Sequence, residues 1–396
     1  MFPLEFLFFG LTLLGVAVFH RKALPIAACG LAAVIAFEWF FTQFPTGAGW
    51  NGLVAHISHE WVLLTNLLFL LTGFALVSRH FEESGIPAAL PRYLPDDWTG
   101  AFALLVIVFV MSGFLDNIAA ALIGGAMAHT LFRARVSVGY IAAIVAASNA
   151  GGAGSVIGDT TTTMMWISGV APIAVAHAYV AAAVALLVFG IAAAKRQQRF
   201  APIIKDPEKS LHIDWVRVLV VAWVLASAVA VNVFVNLEHS EIADRFPFIG
   251  ATVAATLLMT IGIRAPDWRA LPGAFRGSLF LLCLVASASL MPVESLPRAS
   301  WQTALALGFI SAGFDNIPLT ALALKQGGYD WGVLAYAVGF GGSMLWFGSS
   351  AGVAICGTYP EARSTARWLR EGWLIPVGYV AGIALLLATL GWRPVS

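Results

Sequence analysis

Charged residues and cysteines are scarce in this sequence. Asp, Glu, Lys and Arg together make up 11% of its 396 residues, whereas hydrophobic residues make up 60%. Soluble domains carry about 25% charged residues, so this composition excludes that class and indicates a polytopic membrane protein. The three cysteines, Cys29, Cys283 and Cys356, lie singly in apolar segments, a spacing that fits neither a disulfide framework nor a zinc site. We therefore expect no cofactor.

The apolar runs also lack the alternating polarity of β-barrel strands. They extend over about 16 to 23 residues, which is long enough to cross roughly 30 Å of hydrocarbon as α-helices. Only helices and closed barrels satisfy the backbone hydrogen bonds of a chain that crosses a bilayer. The predicted fold class is therefore an all-α polytopic membrane protein.

The chain divides into two halves of similar plan. The first repeat covers 1–194, a polar cytoplasmic connector covers 195–214, and the second repeat covers 215–396. Each repeat is predicted to contain three scaffold helices, a hairpin of two half-length segments, a glycine-broken helix and a final helix. These parts cover 4–77, 101–131, 136–168 and 173–194 in the first repeat, and 215–291, 299–325, 331–357 and 373–391 in the second.

Basic residues are almost absent from one side of the predicted topology. If each hairpin is re-entrant, each half crosses the membrane five times and the second half is inverted. Eighteen of the 22 basic residues then lie on one side, and the other side holds only Arg245, Arg298, Lys325 and Arg393. The positive-inside rule places the eighteen in the cytoplasm and both termini outside. Because full spans in place of the hairpins would weaken this asymmetry, we predict two inverted repeats with about 10 transmembrane helices plus 2 hairpins.

The string Asp-Asn-Ile occurs twice, at 116–118 and at 315–317, each time inside an uncharged apolar stretch. An unpaired carboxylate in hydrocarbon is costly, so an acid at membrane depth indicates a functional site. One copy in each half predicts a duplicated site at the tips of the two hairpins.

A glycine-rich motif follows each copy of this string. Residues 149–160 align with 339–350 at a constant offset of 190, and the Gly-Gly pairs coincide. Glycine weakens a helix by up to about 1 kcal/mol per residue, so we predict an unwound segment between two half-helices. Non-helical backbone at membrane depth requires hydrogen-bonding or ionic partners, and a bound ion is one such partner. Matched interruptions in inverted halves indicate the midplane site of a transporter.

These two motifs contain the candidate site residues. Cation and proton binding is predicted for Asp116, Asn117, Asp159, Asp315 and Asn316, with sodium held at Asp116, Asn117, Asp315 and Asn316. Supporting positions are Asn149, Gly151, Gly152, Ser155, Thr160, Thr161, Gly341, Gly342, Ser343, Ser349 and Ser350. For Asp159 an alternative is that its carboxylate only caps the half-helix that follows. Since Ser349 aligns with Asp159, only the first half has a second acid, and we expect the stronger site beside Asp116.

The motifs resemble those of a known family. The strings N-A-G-G-A-G-S-V-I-G-D-T-T-T-T-M-M-W (149–166), S-A-G-F-D-N-I-P-L-T-A-L-A (311–323) and G-F-G-G-S-M-L-W-F-G-S-S-A-G-V-A (339–354) are similar to NhaD-type sodium/proton antiporters. These belong to the ion transporter superfamily, alongside citrate, dicarboxylate and arsenite carriers. Two departures affect the first copy, where Leu115 lengthens the motif and Ala119 replaces the proline found at Pro318.

The resemblance to this family also implies a fold, a transport movement and binding partners that the residues alone do not indicate. It implies an inverted repeat in which Asp116, Asn117, Asp315 and Asn316 are hairpin-tip residues and Asp159 opens the second half of the broken helix. It further implies an elevator movement of the hairpins and broken helices against a dimeric scaffold in the cell membrane. The expected partners are small ions, the lipid bilayer and a second copy of the chain, without nucleic acid.

The sequence also lacks a basic residue at the depth of its three acids, Asp116, Asp159 and Asp315. A site of net negative charge attracts cations, and sodium and protons would compete for the same carboxylates. We therefore predict a transporter, not an enzyme, that exchanges sodium or lithium for protons.

Two functions other than sodium/proton exchange are also compatible with some of these residues. The first is sodium-coupled transport of citrate or another di/tricarboxylate, with the Ser and Thr residues of 155–163 and 343–350 holding the anion. The second is an intramembrane aspartyl protease, because two membrane aspartates could act as an acid/base pair. Val156 stands in place of the first glycine of the protease string Gly-x-Gly-Asp, which argues against that function.

Overall fold

Helices make up almost all of the regular structure of the chain. The computed structural model describes residues 3–19, 22–204, 212–235, 242 and 245–394, and these residues form helices, turns and one isolated β-bridge but no β-strand. In the first half the α-helices are α1 (Leu4–Val18), α2 (Ala23–Phe40), α3 (Gly49–Glu83), α4 (Ile86–Ala89), α5 (Trp98–Ser112), α6 (Asn117–Leu131), α7 (Val138–Ala153), α8 (Thr160–Ile167), α9 (Pro172–Ala176) and α10 (Ala178–Phe200).

The second half follows a similar order. Its described α-helices are α11 (Trp215–Val233), α12 (Phe248–Thr260), α13 (Leu271–Ser289), α14 (Trp301–Ser311), α15 (Asn316–Gln326), α16 (Trp331–Gly341), α17 (Ser350–Thr358), α18 (Thr365–Glu371) and α19 (Leu374–Leu390). The last of the three scaffold helices predicted within 4–77, expected at about 61–77, lies within α3, which extends over 35 residues. The predicted connector begins inside α10, and its residues 205–211 lie outside the described residues.

Membrane-spanning length is reached by several of these helices. Within the described residues five helical stretches are long and apolar enough to cross a membrane: α2, α3, α11, Pro172–Phe200 and Trp268–Ser289. The pair α18 and α19, bent by 56°, would be a sixth. Shorter apolar helices include α1, α5, α6, α7 and α12. The all-α membrane class is confirmed, whereas ten spans with two hairpins stays a prediction.

The pair α5 and α6 turns back on itself, so that both of its outer ends lie close together. Two adjacent side chains near the end of α10 establish this. The Gln198 amide donates to the carbonyl of Asp96, which precedes α5, at 2.9 Å. The Gln197 amide donates to the carbonyl of Arg135, which follows α6, also at 2.9 Å. We call this side of the molecule the first end.

The pair α14 and α15 is closed in the same way at the opposite side, the second end. The Gln326 amide at the end of α15 donates to the carbonyl of Pro297, before α14, at 2.7 Å. Gly332, at the start of α16, lies against His177, at the start of α10. The first end therefore lies at the end of α10, and the second end lies at its start. Because the 23 residues of α10 extend about 35 Å, the two helix pairs open on opposite sides of the molecule.

Contacts between helices occur in matched pairs. Helix α3 packs against α12, and α2 packs against α13. Helix α6 packs against α17, and α15 packs against α8. Each pair that turns back therefore contacts the short helix after the break in the other half, and the two halves share their interior.

Buried apolar side chains form two clusters that meet at α15. The larger cluster includes α3, α5–α7, α10–α12, α16 and α19, and the smaller one includes α1, α2 and α13. Leu319 and Ala323 of α15 belong to the larger cluster, whereas Ile317, Ala321 and Leu322 belong to the smaller. Helix α15 thus contributes to both clusters, as do α3 and α8.

An ionic contact at the first end makes stability depend on pH. The Asp214 carboxylate, which precedes α11, accepts a hydrogen bond from Arg264 Nε at 2.9 Å and one from the Val216 backbone at 3.1 Å. The Arg264 bond is the largest cause that holds the pKa of Asp214 below its ordinary value. A carboxyl group with a lower pKa in the folded state stabilises the fold above its unfolded pKa, near 4, and loses this effect as the pH falls through its folded pKa.

We therefore expect Arg264→Gln to lower the unfolding temperature at pH 7, because it removes the guanidinium that favours ionised Asp214. The difference from wild type should begin to narrow below about pH 4, near the unfolded pKa, and disappear once the pH has fallen through the lower pKa of folded Asp214. Thermal unfolding of the detergent-purified chain from pH 3 to pH 7 measures this. Arg269→Gln removes an exposed guanidinium at the same end and serves as the control. A pH-independent deficit in Arg264→Gln would contradict the linkage to Asp214.

Candidate functional site

The two tips of the turned-back pairs have the same capping arrangement. Asp116 precedes α6, and its carboxylate accepts a hydrogen bond from the Ile118 backbone N–H at 3.1 Å. Asp315 precedes α15 and accepts from the Ile317 backbone N–H at 3.1 Å. Its second oxygen accepts from the Ser350 hydroxyl at 3.0 Å. Both tip acids are partly exposed and use one oxygen to cap their own helix.

Each glycine-rich motif interrupts a helix, as a run of glycine would favour. In the first half α7 ends at Ala153 and α8 begins after Asp159, whose carboxylate accepts from the Thr161 backbone N–H at 3.1 Å. In the second half the Ser349 hydroxyl caps α17 through the backbone N–H of Gly352, at 3.2 Å. All three deep acids are therefore N-caps, so capping alone does not distinguish Asp159 from the other two.

What distinguishes Asp159 is the convergence of both tips on its free oxygen. Oδ2 of Asp159 accepts from Asn117 Nδ2 at 3.3 Å and from Asn316 Nδ2 at 3.4 Å. The three side chains are buried, with Asp159 only 3% exposed. One amide from each half thus reaches the same carboxylate at the meeting point of the halves.

Asn149 extends this network to the second broken helix. Its Oδ1 accepts from Asn117 Nδ2 at 3.2 Å, and its Nδ2 donates to the hydroxyls of Ser343 at 2.9 Å and Ser349 at 3.1 Å. Asn149 and Ser343 are fully buried. The structure therefore joins, in one hydrogen-bonded network, residues that the sequence analysis assigned to two copies of a site.

Other predicted residues shape the backbone around the network. The Ser155 hydroxyl donates to the carbonyl of Gly113 and so ties the first break to the first tip. Gly158 lies against the carbonyl of Ser112, and Gly348 lies against that of Ala312, at equivalent places in the two halves. A side chain at either glycine would overlap that carbonyl. Neither of these two glycines was among the predicted site residues; the glycines that were, at 151–152 and 341–342, are buried at the ends of α7 and α16.

Two threonines that were not among the predicted site residues hold the first break in shape. The hydroxyl of Thr162 donates to the carbonyl of Ser155, and that of Thr163 donates to the carbonyl of Val156 at 3.0 Å. The run of four threonines after Asp159 was the available signal, because hydroxyls on the first turn of a helix can reach back to the preceding segment. Thr160 is partly exposed, and the Thr161 hydroxyl is buried with no hydrogen-bond partner among the described residues.

The site offers oxygen and amide groups but no counter-charge. In the described part of the chain no Lys or Arg forms an ion pair with Asp116, Asp159 or Asp315. The same residues contain no group of three His, Cys, Asp or Glu side chains that could hold a metal ion. A buried carboxylate in such surroundings is stabilised when it takes up a proton or a cation.

A cavity leads to one of the tip acids. It has a volume of about 240 Å³ and lies between α1, α13 and the second broken helix. Asp315, Ser349 and Ser350 line its inner part, and Ala17, near the end of α1, and Ala23, at the start of α2, line it as well. Solvent in this cavity would contact Asp315 but not the buried Asp159.

We expect Asn149→Ala to lower the free energy of unfolding by about 1–3 kcal/mol, because it leaves buried hydroxyl and amide groups without partners. Thermal unfolding of the purified chain measures the loss. Asn51→Ala is the matched control, since Asn51 is exposed and has no side-chain hydrogen bond among the described residues. Equal unfolding temperatures for Asn149→Ala and Asn51→Ala would contradict the bridging role.

The sequence is similar to those of several named proteins. No protein-family model matches the chain. Sodium/proton antiporter 1 of Arabidopsis thaliana is 26% identical over 96% of this chain and 71% of its own length. Sodium/proton antiporter 2 of the same plant is 26% identical over 85% of this chain and 88% of its own. The Na(+)/H(+) antiporter NhaD of Vibrio parahaemolyticus is 24% identical over 92% of this chain and 99% of its own. The chain is thus related over most of its length to NhaD-type sodium/proton antiporters, as its motifs predicted.

Proposed function

We propose that this chain is a secondary active transporter that exchanges sodium or lithium for protons, and that Asp159 is the carboxylate at which the two ions compete. The observation that supports this most strongly is the convergence of Asn117 and Asn316 on Asp159 Oδ2. A residue that both tips contact is sensitive to any change in their positions.

The chemistry of exchange follows from the surroundings of Asp159. Its carboxylate is buried without a basic partner, so the empty, charged state is the least stable one. A proton neutralises it directly. A sodium ion neutralises it as well, and the side-chain oxygens of Asn117 and Asn316 can then turn toward the cation, since an amide carries both a donor and an acceptor. Reorientation of the loaded site but not of the empty one gives antiport.

Asp116 and Asp315 have a supporting role in this proposal. Each lies one residue before an asparagine that contacts Asp159, and each is more exposed than Asp159. Their negative charges attract cations to the tips, and the cavity beside Asp315 provides a route to one of them. We propose that ions enter from the first end, where Ala17 and Ala23 line that cavity.

The carboxylate-transport alternative is not favoured. Thr162 and Thr163 donate their hydroxyls to backbone carbonyls, so these groups are not available to bind an anion. No basic side chain pairs with the deep acids within the described residues. The relatives reported above carry antiporter names.

Re-entrant hairpins and inverted repeats belong to the same proposal. Arg196, near the end of α10, and Arg367, before α19, line a common cavity at the first end. An even number of crossings must therefore separate them. Crossings by α11, α12, α13 and the α16–α17 pair, with α14–α15 as a re-entrant hairpin, give four. With the basic residues inside, this topology places the first end in the cytoplasm and both termini outside the cell membrane.

An elevator movement completes the proposal. The hairpins, the broken helices, α10 and α19 would move as a body against the scaffold helices α1–α3 and α11–α13. The buried side chains of α1, α2 and α13, which pack apart from those of α5–α7, α10, α16 and α19, support part of such a boundary. A homodimer built on the scaffold helices would hold the stationary part fixed in the membrane.

Proton movement in everted membrane vesicles tests the exchange. After a pH gradient is imposed, addition of sodium should dequench a pH-sensitive dye in vesicles that contain the chain, and not in vesicles without it. Labelled citrate should not accumulate under the same conditions. Sodium-dependent citrate uptake without proton movement on addition of sodium would overturn antiport in favour of carboxylate transport.

A further inference from the structure

A second and larger cavity lies at the first end, away from the three deep acids. Its volume is about 710 Å³, and it is formed by the segment before α7 with the first turn of that helix, the end of α10, helix α18 and the residue just before α19. Four arginines line it: Arg135, Arg196, Arg367 and Arg370. Two acids, Glu361 and Glu371, line it as well, which leaves an excess of two positive charges.

The acids do not neutralise these arginines. The Glu371 carboxylate accepts a hydrogen bond from the Gly139 backbone N–H at 2.9 Å, at the start of α7, and its nearest arginine contact, with Arg370, is 4.0 Å long. Arg196 donates to the backbone carbonyl of Glu371, at 3.1 Å, not to its carboxylate. One anionic group is thus already used by a helix N-terminus, where it is favourable.

The guanidinium groups of the other arginines have few partners that would neutralise their charge. Arg135 donates to the carbonyl of Phe200 at 3.5 Å and lies over the Phe200 ring at 5.6 Å. Among the described residues Arg367 has no hydrogen-bond or ion-pair partner for its side chain, and the Arg370 side chain is 76% exposed. The cavity therefore presents guanidinium groups whose donors are free for an external oxyanion.

The position of the cavity relative to the bilayer narrows the choice of oxyanion. It lies where α7 and α19 begin and α10 ends, at the termini of three apolar helices. Phe200 and Trp373, both in its wall, are exposed. Exposed aromatic side chains at the ends of spans lie at the depth of lipid headgroups, and basic pockets between spans on the cytoplasmic side suit anionic headgroups.

We propose that this cavity binds the phosphate group of an anionic phospholipid in the leaflet at the first end. Guanidinium groups bind phosphate oxygens in pairs of parallel hydrogen bonds. The excess of two positive charges favours an anionic headgroup over a zwitterionic one, whose cationic group offsets the charge of its phosphate. A headgroup held here would connect α7, α10 and α18, the elements that surround the first broken helix. Inorganic phosphate has the same chemistry but lacks the acyl chains that would lie along the exposed aromatic rings.

Thermal unfolding of the full-length chain in detergent tests the proposal. The probes are short-chain phosphatidylglycerol, short-chain phosphatidylcholine and potassium phosphate, each titrated separately. Phosphatidylglycerol should raise the unfolding temperature, whereas the other two should not at the same concentrations. This arm uses wild-type protein alone. An equal rise with potassium phosphate would overturn the lipid assignment, and an equal rise with phosphatidylcholine would overturn a charge-selective site.

The arginines are tested by the double variant Arg367→Gln/Arg370→Gln. We expect it to need about 30-fold more phosphatidylglycerol for half of the maximal rise, from the usual contribution of two basic residues near anionic lipid. Arg269→Gln/Arg276→Gln changes the charge equally at exposed positions outside the cavity and should respond as wild type does. Equal responses from the two double variants would place the lipid effect elsewhere on the surface.

Discussion

Asp159→Asn should lower sodium-dependent proton movement by at least about 100-fold. A cation in a buried site that loses its charged partner is destabilised by about 3–5 kcal/mol, and every 1.4 kcal/mol corresponds to a factor of ten. Asparagine caps a helix as well as aspartate does, so α8 keeps its N-cap in this variant. The substitution therefore separates the charge of Asp159 from its capping role. Dye dequenching in everted vesicles at matched expression measures the rate.

Two further variants make this result specific. Asp267→Asn, at the first end, removes a carboxylate that pairs with Arg79 at 3.5 Å and should leave exchange close to the wild-type rate. Asp116→Asn also keeps its cap and removes a more exposed charge, so its loss should be smaller than that of Asp159→Asn. Wild-type exchange by Asp159→Asn would reject Asp159 as the shared carboxylate, and a larger loss in Asp116→Asn would move the main site to the first tip.

Gly158→Ala should lower both the free energy of unfolding and the exchange rate. The added methyl group would overlap the backbone carbonyl oxygen of Ser112. A carbonyl group in the backbone cannot change rotamer to avoid the overlap, as a flexible side chain could. Overpacking in a closely packed interior costs about 1–3 kcal/mol. Relief of the overlap requires movement of the segment that carries Asp159 relative to the end of α5, which would also alter the distance from Asn117 to Asp159. Thermal unfolding and dye dequenching report the two effects.

Gly357→Ala is the control for this variant. Gly357 lies in α17, and a methyl group added there has no atom within 4 Å. It should therefore unfold and exchange as wild type does. An unfolding temperature of Gly158→Ala equal to that of Gly357→Ala would show that the break is loose enough to accept a side chain, which contradicts the close approach to Ser112.

Much of the helix pattern could be predicted from the sequence because it depends on local properties. The all-α class follows from the apolar runs, and the breaks at 154–159 and 342–349 lie within the glycine motifs. The turned-back pairs place their Asp-Asn strings at the tips, where the structure begins α6 and α15. The length of α3 was underestimated, since its first turns carry His56, His59 and Glu60, which interrupt the apolar pattern without ending the helix.

The convergence of both tips on Asp159 could not be predicted in the same way. The sequence suggested the stronger site beside Asp116, because that half has a second acid. In the structure Asp116 is the more exposed of the two acids, and the asparagine that follows it contacts Asp159. Residues 117, 159 and 316 come together through packing of α6 on α17 and of α15 on α8. Contacts across the two halves carry no local sequence signal.

The sharing of one carboxylate by both tips has an electrical consequence. On the proposed function, Asp159 can hold a proton or a sodium ion but not both, because either one neutralises its single charge. If Asp159 alone exchanges its ion, each turnover moves one positive charge inward and one outward. The membrane potential would then neither drive nor oppose the cycle, and the chemical gradients of the two ions alone would set its direction. Net charge movement would instead require Asp116 or Asp315 to release a proton in the same cycle.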